Sequence, residues 1–301
     1  IIPSRRDLTN AGKCDKIKAQ RESGAFKNTD PVFGIARQDR FVADRLGTPA
    51  FAAGAPFFSD GAGRRIRMYD ISRLLRDNPY PGRGIVLGRS GDDRCSVLAY
   101  FIMGRSANSR NRVFTRRDGC VFTEPYDASK VEDPSLIIYA AVRELPGKLI
   151  VTNGDQTDTI YAGLQVGKTF SESLESRCFE PDAPNLTPRI SGLVSFTGES
   201  FRYDLSILKS IDPEGSDCAR FTFAYPAKAG LGHFIHTYVQ DGNPIPTFQG
   251  EPERISIPND IDELTNDIWT NLDENNKISL YVRYTDLKTG AISERLLNKN
   301  K

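Results

Sequence analysis

The stretch GRSANSRNRVF, residues 104–114, sets Arg105, Arg110 and Arg112 within eight positions, with Ser106, Asn108, Ser109 and Asn111 between them. Arginine grips planar oxyanions through a fixed fork of donors, and neighbouring Ser and Asn add neutral donors, so this composition suits a phosphate group. A solvated, salt-bridged turn would use the same residues. Three further clusters carry polar groups at the ends of apolar runs. TNGDQTD, residues 152–158, puts Asn153 and Gly154 in a tight turn, with Asp155 or Thr157 able to cap a following helix. A helix start approached in this way can receive an anion, although an ordinary capped turn is the simpler reading. In CFEPDAPNLTPRIS, residues 178–191, Pro181, Pro184 and Pro188 stiffen a loop that presents Glu180, Asp182, Asn185, Thr187 and Arg189 ahead of a strand. GLGHFIHTY, residues 230–238, holds the chain's two histidines, His233 and His236. Its glycines and β-rich flank indicate a strand, where positions three apart face opposite ways; a metal pair is disfavoured, and a ligand contact through His233 is the functional expectation.

The elements that must hold these groups follow from the apolar spacing. DISRLLRDNPY predicts a short helix capped by Asp70 and stopped at Pro79. RGIVLG and CSVLAYFIMG, joined across RSGDDR, form a hairpin of buried strands, and SLIIYAAVREL with KLIVTNG repeats it across PGK. Helical patterns follow in TDTIYAGL and TFSESLESRCF. Strand patterns return in RISGLVSFTG, SFRYDLSILKSI and ARFTFAYPA. DIDELTNDIWTNL then predicts a helix before two last strands, KISLYVRYTD and AISERLL. Hairpins interleaved with helices, with strands apolar on both faces, imply a layered α+β domain with sheets between helical layers.

The chain has 301 residues and a net charge of +1, which hides a division. Residues 1–67 carry 13 basic and 7 acidic side chains, a net of +6, whereas residues 68–301 carry 27 and 32, a net of −5. All eleven tyrosines and the tryptophan come after Met68, the first methionine. Residues 1–67 show neither strand nor helix period, so a low-order basic extension is expected there, with one domain from 68 to 301. The extension reads either as a binding arm or as translation begun upstream of a start at Met68. The second is favoured, because a binding tail would carry clustered lysines and fewer phenylalanines than Phe26, Phe33, Phe41, Phe51, Phe57 and Phe58. The cysteines Cys14, Cys95, Cys120, Cys178 and Cys218 are scattered without C-x-x-C spacing, which points to neither a disulfide framework nor a zinc site. No apolar run reaches the length of a membrane helix, and the cytoplasm is the expected compartment.

Taken in order, YPGRGIVLGR, YFIMGRSANSRNRVF, SLIIYAAVRELPGKLIVTNGDQTD, FEPDAPNLTPRIS and the Gly-His segment resemble the archaeal-type IMP cyclohydrolase family, and more closely its bacterial branch. The resemblance covers residues 68–301 and none of 1–67. It implies a four-layer αββα sandwich like that of the N-terminal-nucleophile hydrolases, reused for a different reaction because Met68-Tyr69 offers no such nucleophile. It also implies closure of 5-formamidoimidazole-4-carboxamide ribotide to IMP with loss of water, a step needing no metal and no cofactor.

On this resemblance Arg105, Arg112 and Arg110 are assigned to the phosphate, and Asn111, Asn153 and Asp155 to the ribose or carboxamide. Ser106, Gly154, Asn185, Thr187 and His233 complete the substrate-binding set. Tyr139 is assigned to the formyl oxygen, Glu180 and Asp182 to proton transfer or orientation, and Arg189 to those carboxylates or the phosphate. The partner is a small purine nucleotide. Nucleic acid is not expected, since Phe114 alone accompanies the arginines on a net acidic domain. A non-catalytic purine-nucleotide-binding protein on the same fold is the alternative, and a homo-oligomer is left open.

Overall fold

Strands that are apolar on both faces must be covered on both faces, and the chain meets this demand with two sheets packed face to face and helices outside each. The computed structural model describes residues 57–59, 65–131 and 138–300. The low-order extension expected over residues 1–67 lies outside them except at 57–59 and 65–67, which form strands rather than irregular chain.

A short antiparallel pair, β1 (Phe57–Ser59) and β2 (Arg65–Arg67), precedes the helix α1 (Ile71–Asp77). Asp70 caps α1 by accepting from the Ser72 amide at 2.9 Å. Then come β3 (Arg83–Arg89), β4 (Cys95–Met103), the single turn α2 (Ala107–Arg110), β5 (Arg112–Arg117) and β6 (Cys120–Pro125). After a 3-10 turn at Ala128–Lys130 follow β7 (Tyr139–Leu145), β8 (Lys148–Thr152), α3 (Gln156–Gln165) and α4 (Phe170–Leu174). The long strands β9 (Arg189–Thr197), β10 (Ser200–Ser210) and β11 (Cys218–Pro226) lead to β12 (Leu231–His236) and β13 (Glu253–Ser256). The chain closes with α5 (Ile261–Asn271), β14 (Lys277–Asp286) and β15 (Ile292–Asn298).

One sheet runs β11-β10-β9-β8-β7-β6-β5 and the other β13-β12-β3-β4-β14-β15, with neighbouring strands antiparallel throughout. The strand β5 continues the Arg-rich stretch. It turns into β6 through Asp118 and Gly119, at φ 52° and 73°, the left-handed pair that a two-residue hairpin demands.

Alternation along β3 and β4 decides the layering. Ile85, Leu87, Leu98, Tyr100 and Ile102 point inward against Phe114, Val151 and Leu205 of the facing sheet. Val86, Val97, Ala99 and Phe101 point outward beneath Ile71 and Leu75 of α1 and Leu264 and Ile268 of α5. On the far side Ile150, Leu193 and Leu208 pack under Ile160, Phe170 and Leu174 of α3 and α4. Each side chain enclosed in this way contributes about 1.5–3 kcal/mol of transfer free energy. The two sheets approach closely where β9 carries Gly192, whose absent Cβ would stand 2.8 Å from Leu87 Cδ1. Among the described residues no helix is long and apolar enough to cross a membrane.

The registers bring the starts of β3, β5, β7 and β9 to the same end of the stack as the ends of β4, β6, β8 and β12. The loops carrying residues 104–111, 153–155, 180–188 and 237–248 therefore gather at that end.

Candidate active site

Arg83 opens β3 in the same alternation as the inward-facing Ile85 and Leu87, so its side chain enters the gap between the sheets. Arg112 opens β5 in step with the inward-facing Phe114 and reaches the same gap. Arg112 is 4% exposed, and its Nε donates to the Ser109 carbonyl at 2.8 Å. Arg83 keeps a partly exposed edge, but its Nε is enclosed and has no partner among the described residues. Two guanidinium groups thus enter the same confined space, and the enclosed Arg83 Nε is a donor whose burial costs free energy unless an acceptor meets it.

Glu180, 8% exposed, is close enough to interact with both, and its backbone amide is fixed to the Thr187 carbonyl at 2.8 Å. Burial pushes the Glu180 carboxyl above the usual glutamate range despite the opposing pull of Arg83, Arg189 and Arg112, and Asp182 adds to the rise. For Arg83, burial disfavours the charge, yet Glu180 and the hydroxyls of Tyr238, Tyr80 and Tyr139 outweigh it and the guanidinium is raised. Arg112 is lowered, first by burial and then by Arg83. Tyr139, at the start of β7, meets the Tyr100 hydroxyl of β4 at 3.0 Å, one bond spanning the two sheets. Burial and the Tyr139 neighbour raise Tyr100 well above the ordinary phenol range.

The remaining expected residues divide into supports and outliers. Arg189 donates to Gln156 Oε1 at 2.8 Å and forms an ion pair with Asp155 Oδ1, also at 2.8 Å, and Asp155 pairs with Arg177 as well. Burial opposes the Asp155 charge, but Arg189 and Arg177 hold it below the ordinary carboxylate range. Gly154 is required beside them, since a Cβ there would stand 2.3 Å from Arg189 Nη1. Asn153 is spent on the backbone, donating to the Pro188 carbonyl at 2.9 Å and accepting from the Ile190 amide at 2.9 Å and Gln156 at 3.0 Å. Asn111 likewise exchanges two 2.7 Å bonds with the Asp127 backbone. Asn185 accepts from the Ile245 amide at 3.2 Å. Thr187 contacts Asp182 and the Tyr238 hydroxyl.

Of the three arginines in residues 104–114, Arg112 alone reaches the Glu180–Tyr139 group. Arg105 lies over the Tyr80 ring at 5.1 Å and pairs with Asp241, and Arg110 turns to the Gly104 carbonyl and Asn276. Ser106 caps α2 through Ser109. His233 faces inward as its strand requires, but its partners are the Tyr203 hydroxyl at 2.7 Å and the stacked Tyr225 ring at 3.5 Å. Burial, then Arg254, lowers its pKa to about 4. Among the described residues no three His, Cys, Asp or Glu side chains gather as a metal site.

Arg83, Tyr100, Tyr238 and Gln156 were not anticipated as site residues. Arg83 had a signal, being a charge in inward alternation at the head of an apolar strand. Gln156 had none, because its value lies in fastening Arg189 and Asn153 from separate loops.

A family model described as "IMP cyclohydrolase-like protein" matches residues 80–290. The chain belongs to that family. Curated IMP cyclohydrolases also align with it. That of Methanopyrus kandleri is 33% identical over 126 residues, 40% of this chain and 61% of the relative. That of Methanothrix thermoacetophila is 34% identical over 120 residues, 38% of this chain and 58% of the relative. The protein of the same name from Methanocella arvoryzae is 31% identical over 120 residues. The chain thus spans about three fifths of the length of the curated relatives it matches. Within the IMP cyclohydrolase-like match fall Arg83, Tyr100, Arg112, Tyr139 and Glu180, the group at the gap between the sheets, and Tyr238 beside it.

Proposed function

We propose that the chain is an IMP cyclohydrolase, closing 5-formamidoimidazole-4-carboxamide ribotide to IMP with loss of water. The observation that carries this reading is the pair Arg83 and Arg112 at the gap between the sheets, both interacting with a carboxyl that burial shifts toward its protonated form. The family membership and the names of its relatives point to the same reaction. The helix-sheet-sheet-helix packing supports kinship with the N-terminal-nucleophile hydrolase fold.

The substrate carries its own nucleophile and electrophile, so the protein's task is to fix a near-attack geometry and manage protons. Arg83 and Arg112 bind the 5′-phosphate, each charge-assisted contact contributing about 1.5–3 kcal/mol. Tyr139, with its hydroxyl oriented by Tyr100, stabilises the formyl oxygen as negative charge develops there. Glu180 donates a proton to that oxygen, a role that its raised pKa favours near neutrality. Arg189, fastened by Gln156 and Asp155, keeps the Glu180 carboxyl in place when it ionises.

The test is ring closure by the full chain, followed by ultraviolet absorbance. Turnover is expected in the parent, with Arg112→Ala raising KM and Tyr139→Phe lowering kcat. Binding of IMP without turnover would identify a non-catalytic nucleotide-binding protein instead.

A further inference from the structure

Three side chains form a hydrogen-bonded line from the edge of the site to the surface. Tyr238, just beyond β12 and 2% exposed, places its hydroxyl 2.6 Å from Thr187 Oγ1. Thr187, 1% exposed, makes its second hydroxyl contact with Asp182 Oδ2, while the other Asp182 oxygen accepts the Thr187 amide at 2.6 Å. Asp182 itself is partly exposed.

The direction of the line is fixed at its acidic end. An ionised carboxylate only accepts, so the Thr187 proton goes to Asp182. A hydroxyl has one proton, so Thr187 must accept from Tyr238. The Tyr238 proton is thereby committed away from the site. Its oxygen offers lone pairs on the other side, where Arg83 lies close enough to interact with it. Tyr139 and Glu180 interact with the same arginine, so Tyr238 borders the group assigned to the formyl oxygen.

Resting on the ring-closure reading, we infer that Tyr238 takes the proton lost by the attacking carboxamide nitrogen and passes its own through Thr187 to Asp182. As the carboxamide nitrogen bonds to the formyl carbon, its N–H bond breaks and the electron pair stays on nitrogen, cancelling the charge left by attack. A new O–H bond forms at Tyr238, the former Tyr238 proton moves to Thr187, and the Thr187 proton moves to Asp182, which becomes the neutral acid. The formyl oxygen takes its first proton from Glu180. Its second, at the loss of water, is the proton shed by the formamide nitrogen and carried across by the Glu180 carboxylate. Asp182 then releases a proton to solvent and Glu180 regains one, so none is consumed.

Burial pushes the Tyr238 hydroxyl up to about 12 against the influence of Arg83 and Thr187. A free phenolate does not accumulate at neutral pH, and the transfers along the line are concerted. Because Thr187 and Tyr238 are enclosed, the proton leaves without water entering.

The experiment compares kcat and KM of the full chain with Tyr238→Phe, Thr187→Val and Thr187→Ser, with thermal midpoints as a check on folding. Loss of the relay is expected to lower kcat on the order of 100-fold in Tyr238→Phe and Thr187→Val, with KM within about threefold of the parent. Thr187→Ser, which keeps the hydroxyl, restores most of that loss. The solvent deuterium effect on kcat is larger in the parent than in Tyr238→Phe. A parent that turns over while Tyr238→Phe keeps its kcat overturns the relay alone. So does a rise confined to KM, or a Thr187→Ser variant as impaired as Thr187→Val. A parent that does not turn over overturns both the ring-closure reading and the relay. If Thr187→Val does not fold, Tyr238→Phe and its deuterium effect decide the matter.

Discussion

Tyr100 of β4 and Tyr139 of β7 meet hydroxyl to hydroxyl at 3.0 Å across the gap between the two sheets. Both residues are buried, so neither hydroxyl has water to fall back on. Tyr139→Phe is expected to cost about 1–3 kcal/mol of stability, because it strands the Tyr100 hydroxyl. The double change to Phe should cost less than the sum of the two single changes. Denaturant unfolding of the three variants measures this, and strict additivity would show that the bond contributes nothing.

Arg112 and Arg110 are two positions apart but serve different ends. Arg112→Ala is expected to weaken IMP binding by about 10- to 100-fold, from the loss of about 1.5–3 kcal/mol of charge-assisted bonding. Arg110, turned to the Gly104 carbonyl and Asn276, should matter less than about threefold when changed to Ala. Calorimetric titration of both variants with IMP separates them, and equal losses would place the phosphate elsewhere.

Glu180 links pH to stability and activity. Its folded pKa is raised by burial, so its stabilising contribution is full below the unfolded value of about 4.3 and is lost as pH rises through the folded value. Glu180→Gln removes this dependence. The variant should therefore gain stability relative to the parent as pH climbs from about 4 toward neutrality. Turnover of the parent should fall on the alkaline side as Glu180 loses its proton, and that limb should vanish in the variant. Parallel stability curves for the two proteins would contradict the assignment.

His233 titrates the other way. Its pKa is lowered to about 4 by burial and by Arg254, so the stability gained by keeping it neutral is complete above the unfolded value of about 6.5 and is lost as pH falls toward 4. His233→Gln should flatten that acid-side slope and leave IMP affinity unchanged, since its partners are Tyr203 and Tyr225. A ring resonance of His233 that titrates near its ordinary value would refute the point.

Much of the frame could be read before the structure. The hairpin of β3 and β4, the Asp70 cap and the strand carrying both histidines all follow from local spacing, and the opposite facing of His233 and His236 follows from a period of two. The β5–β6 hairpin was missed although Asp118-Gly119 announced it. Arg112, Tyr139 and Glu180 could be singled out from polar residues at the ends of apolar runs and from the family resemblance, and the fold brings the three near one another. Asn111 and Asn153 show where such reasoning stops. A side-chain amide beside a turn serves a ligand or the backbone equally well, and only the fold reveals that Asp127, Pro188 and Ile190 have claimed these two. Tyr238 was hidden for a related reason: its partner Thr187 lies 51 residues away, and nothing local records that bond.

Arg83 and Arg112 repel each other at the gap between the sheets, where Arg83 Nε has no partner among the described residues. That repulsion is a burden on the fold, and an apolar side chain at either position would relieve it. Part of any ligand's affinity is then release from repulsion rather than new attraction, so a doubly charged anion should raise the melting temperature more than a singly charged one of similar size. Drift toward a more stable fold would erase this pair first in a descendant with no anion to bind. A homologue that keeps both arginines has kept them against that tendency, which makes the pair a marker of retained ligand binding.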